Sequence, residues 1–284
     1  MLDVKLFDST DEVAWCPGCY NFAILRAVKQ ALASLDIQPH QVMFSSGIGQ
    51  AAKLPHYLKC NLFNGLHGRT LPVATGIKLA NHALHVIAEG GDGDGYAEGG
   101  NHFVHAMRRN PGVTYLVHDN QIYGLTKGQT SPTSEPGFVT ATTPFGNFNF
   151  PEHPLAVAVA CDCSFVARGF AGDAERLAEL IAQAISHPGF ALVDILQPCV
   201  TFNKVNTYQW YKQRVYALDQ THDPRDRGAA FAKATEWGDR IPLGVIYRND
   251  RPPLESLLPQ LKHGALAAQD IGADRREDLI ANFR

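Results

Sequence analysis

The chain has 284 residues, 45% hydrophobic and 19% charged, with a formal net charge of −3. That length suits one large α/β domain or two small ones, the composition is that of a compact globular protein, and the charge offers no basic surface for nucleic acid. No apolar run approaches the roughly 20 residues of a membrane helix, and the first residues, MLDVKLFDSTDEVAW, lack the basic-then-apolar order of a signal peptide, so a cytoplasmic protein is expected.

In chain order, Ile24, Leu25, Val28, Ala31, Leu32 and Leu35 recur at helical spacing and predict a helix over 21–35. A short apolar strand at 42–45 stops at Ser46-Gly47-Ile48-Gly49. A second, at 86–88, runs into Glu89-Gly90-Gly91-Asp92-Gly93-Asp94-Gly95, followed by a helix through Phe103, Ala106 and Met107. A third, at 113–117, ends at His118-Asp119-Asn120. Asp173 is placed to cap a helix reaching about Ser186, and 191–196 is a further strand. Short apolar strands alternating with helices predict an α/β fold with a doubly wound, mostly parallel sheet covered on both faces. The stretch 126–154, rich in Thr, Ser, Pro, Gly and Phe, is long for a loop; Phe138, Phe145, Phe148 and Phe150 suggest that it is ordered and packed. Residues 1–207 are expected to form the main domain. Residues 208–284 are expected to be an extension with two helices and a strand at 243–247, packed on the core or on a partner.

Ligands of open α/β sheets bind beyond the carboxyl ends of the strands. Gly91 and Gly93 flank Asp92 and let backbone approach a phosphate, and the following helix offers free amides to an anion. Asp92 itself repels phosphate unless a divalent cation lies between them. Mg²⁺ takes about six oxygens. Asp92 can supply a carboxylate oxygen, Asn120 an amide oxygen and Ile122 its carbonyl, with diphosphate and water completing the shell. Gly-Asp-Gly alone is a common turn. Followed 27 residues after Gly93 by Asn120-Gln121-Ile122-Tyr123-Gly124, it has the form of a thiamine-diphosphate motif.

Further segments carry a wider resemblance: Trp15-Cys16-Pro17-Gly18-Cys19, Leu66-His67-Gly68-Arg69, Gly99-Gly100-Asn101-His102, Asp119 through Gln129, and Gln197-Pro198-Cys199-Val200-Thr201-Phe202-Asn203. With Asn206-Thr207-Tyr208 and Ile241-Pro242-Leu243-Gly244, the chain resembles the β subunit of two-subunit 2-oxoacid:ferredoxin oxidoreductases over nearly its whole length. The resemblance implies a thiamine-diphosphate-binding fold and oxidative decarboxylation of a 2-oxoacid with coenzyme A to acyl-CoA and CO₂, or the reverse, with electrons passed to ferredoxin. It also implies an α subunit that brings the glutamate needed beside the cofactor's pyrimidine ring, so no catalytic acid or base is assigned to this chain. Mg²⁺ would be held by Asp92, Asn120 and the Ile122 carbonyl. Ile48, Gly49, Gln50 and Ala51 would meet the cofactor after the first strand, Gly91, Gly93 and Asp94 after the second, and Gly124 and Leu125 after the third. His67 would donate to the diphosphate.

The cysteines at 16, 19, 60, 161, 163 and 199 suit metal ligation or burial better than a cytosolic disulfide framework. Cys16-Pro-Gly-Cys19 is a metal-type pair, and by itself equally a zinc clasp or redox pair. By resemblance Cys199 is a further ligand of a [4Fe–4S] cluster. The family's fourth cysteine is replaced here by Gln50, and an amide is a poor iron ligand beside thiolates. Cys60 as fourth ligand, a three-cysteine cluster, and a lost or labile cluster all remain open. Cys161 and Cys163 are expected to be buried, inert thiols. Lys127, directly after the cofactor loop where pyruvate-type relatives carry a neutral residue, is a candidate partner for the distal carboxylate of 2-oxoglutarate. The competing readings are a non-oxidative thiamine-diphosphate decarboxylase or synthase subunit, and a non-catalytic metal-binding subunit.

Overall fold

The computed structural model describes residues 2–269 together with 280 and 281. Its centre is an eight-stranded sheet built from β1 (Val42–Ser46), β2 (Asn61–Asn64), β3 (His85–Gly91), β4 (Val113–Asp119), β7 (Phe165–Phe170), β8 (Ala191–Leu196), β9 (Val215–Ala217) and β10 (Ile241–Arg248), in the order β2-β1-β3-β4-β8-β7-β10-β9. A separate two-stranded ribbon joins β5 (Ile122–Tyr123) to β6 (Gln129–Thr130). The six strands from β2 to β7 pair in parallel; β10 runs antiparallel to β7 and makes the sheet mixed.

The alternating side chains of the strands build two apolar layers. Ile87 and Leu116 face one layer with α1 (Asn21–Ser34) and α5 (Ala174–Ser186); Val86, Ala88, Val113 and Val117 face the other. That second layer is covered by α2 (Thr70–Ala80), α3 (Gly100–Arg109), α4 (Pro154–Ala160) and α7 (Arg227–Thr235). Helix α1 turns Ile24, Leu25, Val28, Ala31 and Leu32 inward, as their spacing requires. Helix α5 begins where Asp173 accepts the Arg176 N–H at 3.2 Å.

Strands β3 and β4 run past the apolar stretches that mark them in the sequence. The parallel ladder continues as far as Gly91 opposite His118, so backbone pairing extends the strands over residues of poor strand propensity. Between β3 and α3 lies a π-helical turn, Gly93–Glu98, where a plain helix start was expected.

Residues beyond 207 complete the sheet through β9 and β10. With α7, they also hold α6 (Tyr208–Lys212), whose Tyr211 is fully buried, and α8 (Leu254–Leu257), three named helices among the described residues where two were expected. Cys163 is buried, and burial pushes its thiol up to about 12; Cys161 is partly buried against the same layer. The expectation that the aromatic residues of the 126–154 loop are packed fails for three of the four. Phe138 is buried, but Phe145, Phe148 and Phe150 are 87%, 82% and 86% exposed. The loop is held instead by polar contacts: Asn147 Nδ2 donates to the Ser134 carbonyl at 3.1 Å, and its backbone pairs with Gly137 and Phe138. Among the described residues no helix is long and apolar enough to cross a membrane.

Candidate functional site

The turns after β1, β3 and β4 surround a cavity of about 190 Å³ at the carboxyl edge of the sheet. Its wall contains Ile48, Gly49, Gln50 and Ala51 from the first turn and Gly91, Asp92, Gly93 and Asp94 from the second. Asn120, Ile122, Tyr123, Gly124, Leu125 and Thr126 come from the third, and His67 from the segment before α2. This is the position at which open α/β sheets bind ligands.

Asp94 holds the turns together. Its Oδ1 accepts the N–H groups of Ile48 and Gly68, each at 2.9 Å, and its Oδ2 accepts the Thr70 hydroxyl at 3.1 Å. Nδ1 of His67 lies 2.9 Å from the same Oδ1. The approach is so close that a Cβ on Gly47 would collide with the Asp94 carboxylate. Asp94 therefore lines the cavity, yet its oxygens are engaged by protein donors. The same pairing orients His67, because Nδ1–H donates to the carboxylate and Nε2 is the nitrogen left for a ligand. A hydrogen bond from Nε2 to phosphate then requires the imidazolium form.

Asp92 is buried, and burial pushes its carboxyl up to about 6, against hydrogen bonds from Ser131, Thr133 and the Gly93 N–H. The Thr133 hydroxyl lies 2.7 Å from Asp92 Oδ2 and 2.8 Å from Asp119 Oδ1. A hydroxyl has one hydrogen, so both contacts are hydrogen bonds only when one carboxyl is protonated. Burial, then the charges of Asp194 and Asp92, hold Asp119 well above the usual carboxylate range. A divalent ion in the cavity would offset the desolvation of an ionised Asp92. Asn120 Oδ1 accepts the Ile122 N–H at 3.1 Å, which turns its amide oxygen and the Ile122 backbone together at the end of β4. Gln121 makes this turn in the left-handed region, with φ of 56°, and is clamped from both ends of its side chain by the Thr133 carbonyl (2.8 Å) and the Tyr211 hydroxyl (3.0 Å).

A second cavity adjoins the first. Cys16, Cys19 and Cys199 line it with Trp15, Asn21, Gln197 and Phe202, and Gln50, Asn120 and Gly124 belong to the walls of both cavities. The sulfurs already receive N–H groups: Gln197 Nε2 reaches Cys19 at 3.5 Å, and the Phe202 N–H reaches Cys199 at 3.4 Å. Burial, opposed by the Asn21 N–H, pushes the Cys19 thiol up to about 11. Among the described residues no three His, Cys, Asp or Glu side chains converge on one ion. Thiolates of an iron–sulfur cluster bind different irons, so side chains spread around one cavity suit a cluster better than a single metal. Two buried atoms here have no partner, the Asn21 Nδ2 donor and the Gln50 Oε1 acceptor.

Residues 40–195 match the family model "Thiamine pyrophosphate enzyme, C-terminal TPP binding domain". Residues 199–263 match the model for the C-terminal part of the pyruvate ferredoxin oxidoreductase beta subunit. A 2-oxoacid:ferredoxin oxidoreductase subunit beta of Saccharolobus solfataricus is 46% identical over 249 residues, which cover 83% of this chain and 82% of that one. A subunit beta of Aeropyrum pernix is 43% identical over 94% of this chain and 90% of its own length. The chain belongs to the β subunits of the 2-oxoacid:ferredoxin oxidoreductases. The fold agrees: a 2-oxoglutarate:ferredoxin oxidoreductase from Magnetococcus marinus, described with 2-oxoglutarate, coenzyme A and succinyl-CoA bound, superposes with a TM-score of 0.92 at 38% identity, covering 100% of this chain and 96% of that one.

In this β subunit two candidate residues lie apart from the cavities that gather the rest. Cys60 lines neither; it packs against the α1 layer, where burial and then the charge of Glu89 push its thiol up to about 12. Lys127 is exposed just past Thr126, with φ of 77°. Sequence reasoning missed Thr133, Asn21 and Gln197 as site residues. Gln197 opens the motif that contains Cys199, and Thr133 stands in a Ser-Pro-Thr-Ser run after the cofactor loop. Asn21 looks like any first-turn helix residue, and only its place beside Cys19 marks it.

Proposed function

We propose that this β subunit binds thiamine diphosphate through Mg²⁺ and, with an α subunit, converts a 2-oxoacid and coenzyme A to acyl-CoA and CO₂, passing electrons through a [4Fe–4S] cluster to ferredoxin. The carrying observation is the wall that Gln50, Asn120 and Gly124 share between the diphosphate-type cavity and the cysteine cavity. A non-oxidative decarboxylase has no use for three cysteines at that wall.

In this reading Asp92, Asn120 and the Ile122 carbonyl hold the ion, and His67, oriented by Asp94, meets the diphosphate. Bound thiamine diphosphate supplies the electron sink for decarboxylation. Gly93 keeps the approach open, since a Cβ there would strike the Tyr123 ring. The carboxylates of this cavity are Asp92 and Asp94, and both are engaged by protein donors. In this reading the glutamate that the pyrimidine ring requires comes from the α subunit, as the family resemblance implies.

The exposed Phe145, Phe148 and Phe150 are the surface we assign to that partner. Exposed aromatic residues of this kind are suited to a contact face. Their loop is tied to the turn whose Thr133 touches Asp92, because Asn147 Nδ2 donates to the Ser134 carbonyl.

The substrate favoured is 2-oxoglutarate, with Lys127 meeting its distal carboxylate; the relative of known structure at 38% identity, described with 2-oxoglutarate bound, supports this. The test is reduction of ferredoxin by the purified αβ complex. Activity with 2-oxoglutarate that needs thiamine diphosphate, Mg²⁺ and coenzyme A is expected. Carbon dioxide release without coenzyme A and without electron transfer would refute the oxidative reading.

A further inference from the structure

Gln50 sits where the two cavities meet, and its setting bears on how the proposed cluster is held. Its backbone carbonyl accepts the Trp15 Nε1–H at 2.8 Å, which anchors the residue against the Cys16-Pro-Gly-Cys19 turn. Its side-chain Oε1 is buried and has no hydrogen-bond partner, although buried acceptors nearly always have one. Across the same cavity Asn21 is fully buried. The His118 Nδ1 contact at 2.8 Å engages its Oδ1, and its Nδ2 donor is left unpartnered. The residues that carry this orphan acceptor and this orphan donor thus both belong to the wall of a cavity that also holds three thiols. An iron would satisfy the first and an inorganic sulfide the second. Cys60, the spare thiol, does not line this cavity.

The geometry points to a site-differentiated cluster: three irons bound by Cys16, Cys19 and Cys199, and a fourth facing the Gln50 amide oxygen. This rests on the cluster reading above and deepens it. Iron prefers thiolate to a neutral amide, so the iron opposite Gln50 is the weakly held one. A one-electron oxidant such as ferricyanide takes one electron from the [4Fe–4S]²⁺ form, which then sheds that iron as Fe²⁺ and leaves [3Fe–4S]⁺. Charge balances, because 2+ becomes 1+ plus 2+ with one electron removed. The three Fe–S(Cys) bonds persist, and the bond to Oε1 breaks. Asn21 Nδ2 remains as a donor to the sulfide.

The experiment uses the anaerobically purified αβ complex, as wild type, Gln50→Cys and Cys60→Ser. Iron, acid-labile sulfide and EPR spectra are measured before and after stoichiometric ferricyanide, and iron elsewhere in the complex cancels between variants. Expected in the wild type are loss of about one iron per chain and the near-isotropic EPR signal of a three-iron cluster, both reversed by Fe²⁺ with dithionite. Gln50→Cys should keep its iron and stay silent in that signal; Cys60→Ser should behave as wild type. If wild type holds its iron as firmly as Gln50→Cys, or if Cys60→Ser alone loses it, the Gln50 assignment falls. If all three lack iron and sulfide attributable to this chain, the cluster reading itself falls.

Discussion

The hydroxyl of Tyr211 donates a 3.0 Å hydrogen bond to Oε1 of Gln121, so the region beyond residue 207 holds the turn that carries Asn120 and Ile122. Both partners are buried, and Gln121 occupies a strained left-handed conformation. Tyr211→Phe leaves the Gln121 acceptor without its donor in a dry site. A loss of about 1–3 kcal/mol in stability is expected, with weaker retention of thiamine diphosphate and Mg²⁺. Thermal unfolding and cofactor titration by calorimetry measure both. An unchanged cofactor affinity would remove the turn from the binding machinery.

Asp92 and Asp94 stand two residues apart and should fail in different ways. Asp92→Asn keeps a similar shape and removes a buried charge, so the cofactor-free protein should fold at least as well as wild type at neutral pH while Mg²⁺-dependent cofactor binding is lost. Asp94→Ala strips the acceptor from Ile48, Gly68 and Thr70 together, and should destabilise by roughly 3 kcal/mol or more. Comparing melting temperatures with and without thiamine diphosphate and Mg²⁺ separates the two.

Lys127→Ala should raise KM for 2-oxoglutarate about tenfold, the size of one charge-assisted contact, and leave KM for pyruvate nearly unchanged. Steady-state kinetics of the αβ complex decide this. Equal effects on both acids would make Lys127 a solvated loop residue.

Replacing Phe145, Phe148 and Phe150 together with serine removes three exposed aromatic side chains. The isolated chain should melt within about 1 kcal/mol of wild type, because these rings make little of the core. Association with the α subunit, followed by sedimentation velocity, should weaken by at least tenfold. An unaltered complex would place the partner elsewhere.

His187 gives a pH dependence with a definite sign. Burial lowers its pKa from 6.5 to about 4, and its Nε2 lies 2.9 Å from the Ser164 hydroxyl. The folded state therefore binds this proton less readily than the unfolded chain. Its contribution to stability is present above about 6.5 and is lost as pH falls toward about 4. The ring is partly exposed, so the loss is on the order of 1–2 kcal/mol. Denaturant melts of wild type and His187→Gln across that range should converge at low pH; parallel curves would contradict the shift.

Local chemistry was legible in the sequence. The glycines around Asp92, the Asn120 turn, the Cys16–Cys19 pair and the helix cap at Asp173 declare themselves, because each depends on residues a few positions apart and on fixed backbone preferences. The α/β alternation and the parallel sheet follow from the same short-range periodicity. The ends of β3 and β4 did not show, since glycine and aspartate have poor strand propensity and only pairing with a neighbour keeps them extended. Nor did the role of Asp94, whose partners Ile48, Gly68 and Thr70 come from other turns. Phe145, Phe148 and Phe150 have the hydrophobicity of core residues, and nothing in a linear pattern tells a ring that fills a core from one that faces a partner. Their exposure, the Tyr211–Gln121 bond across 90 residues and the place of Gln50 between two cavities were decided by the tertiary structure alone. Each depends on where distant segments meet, and chain packing sets that.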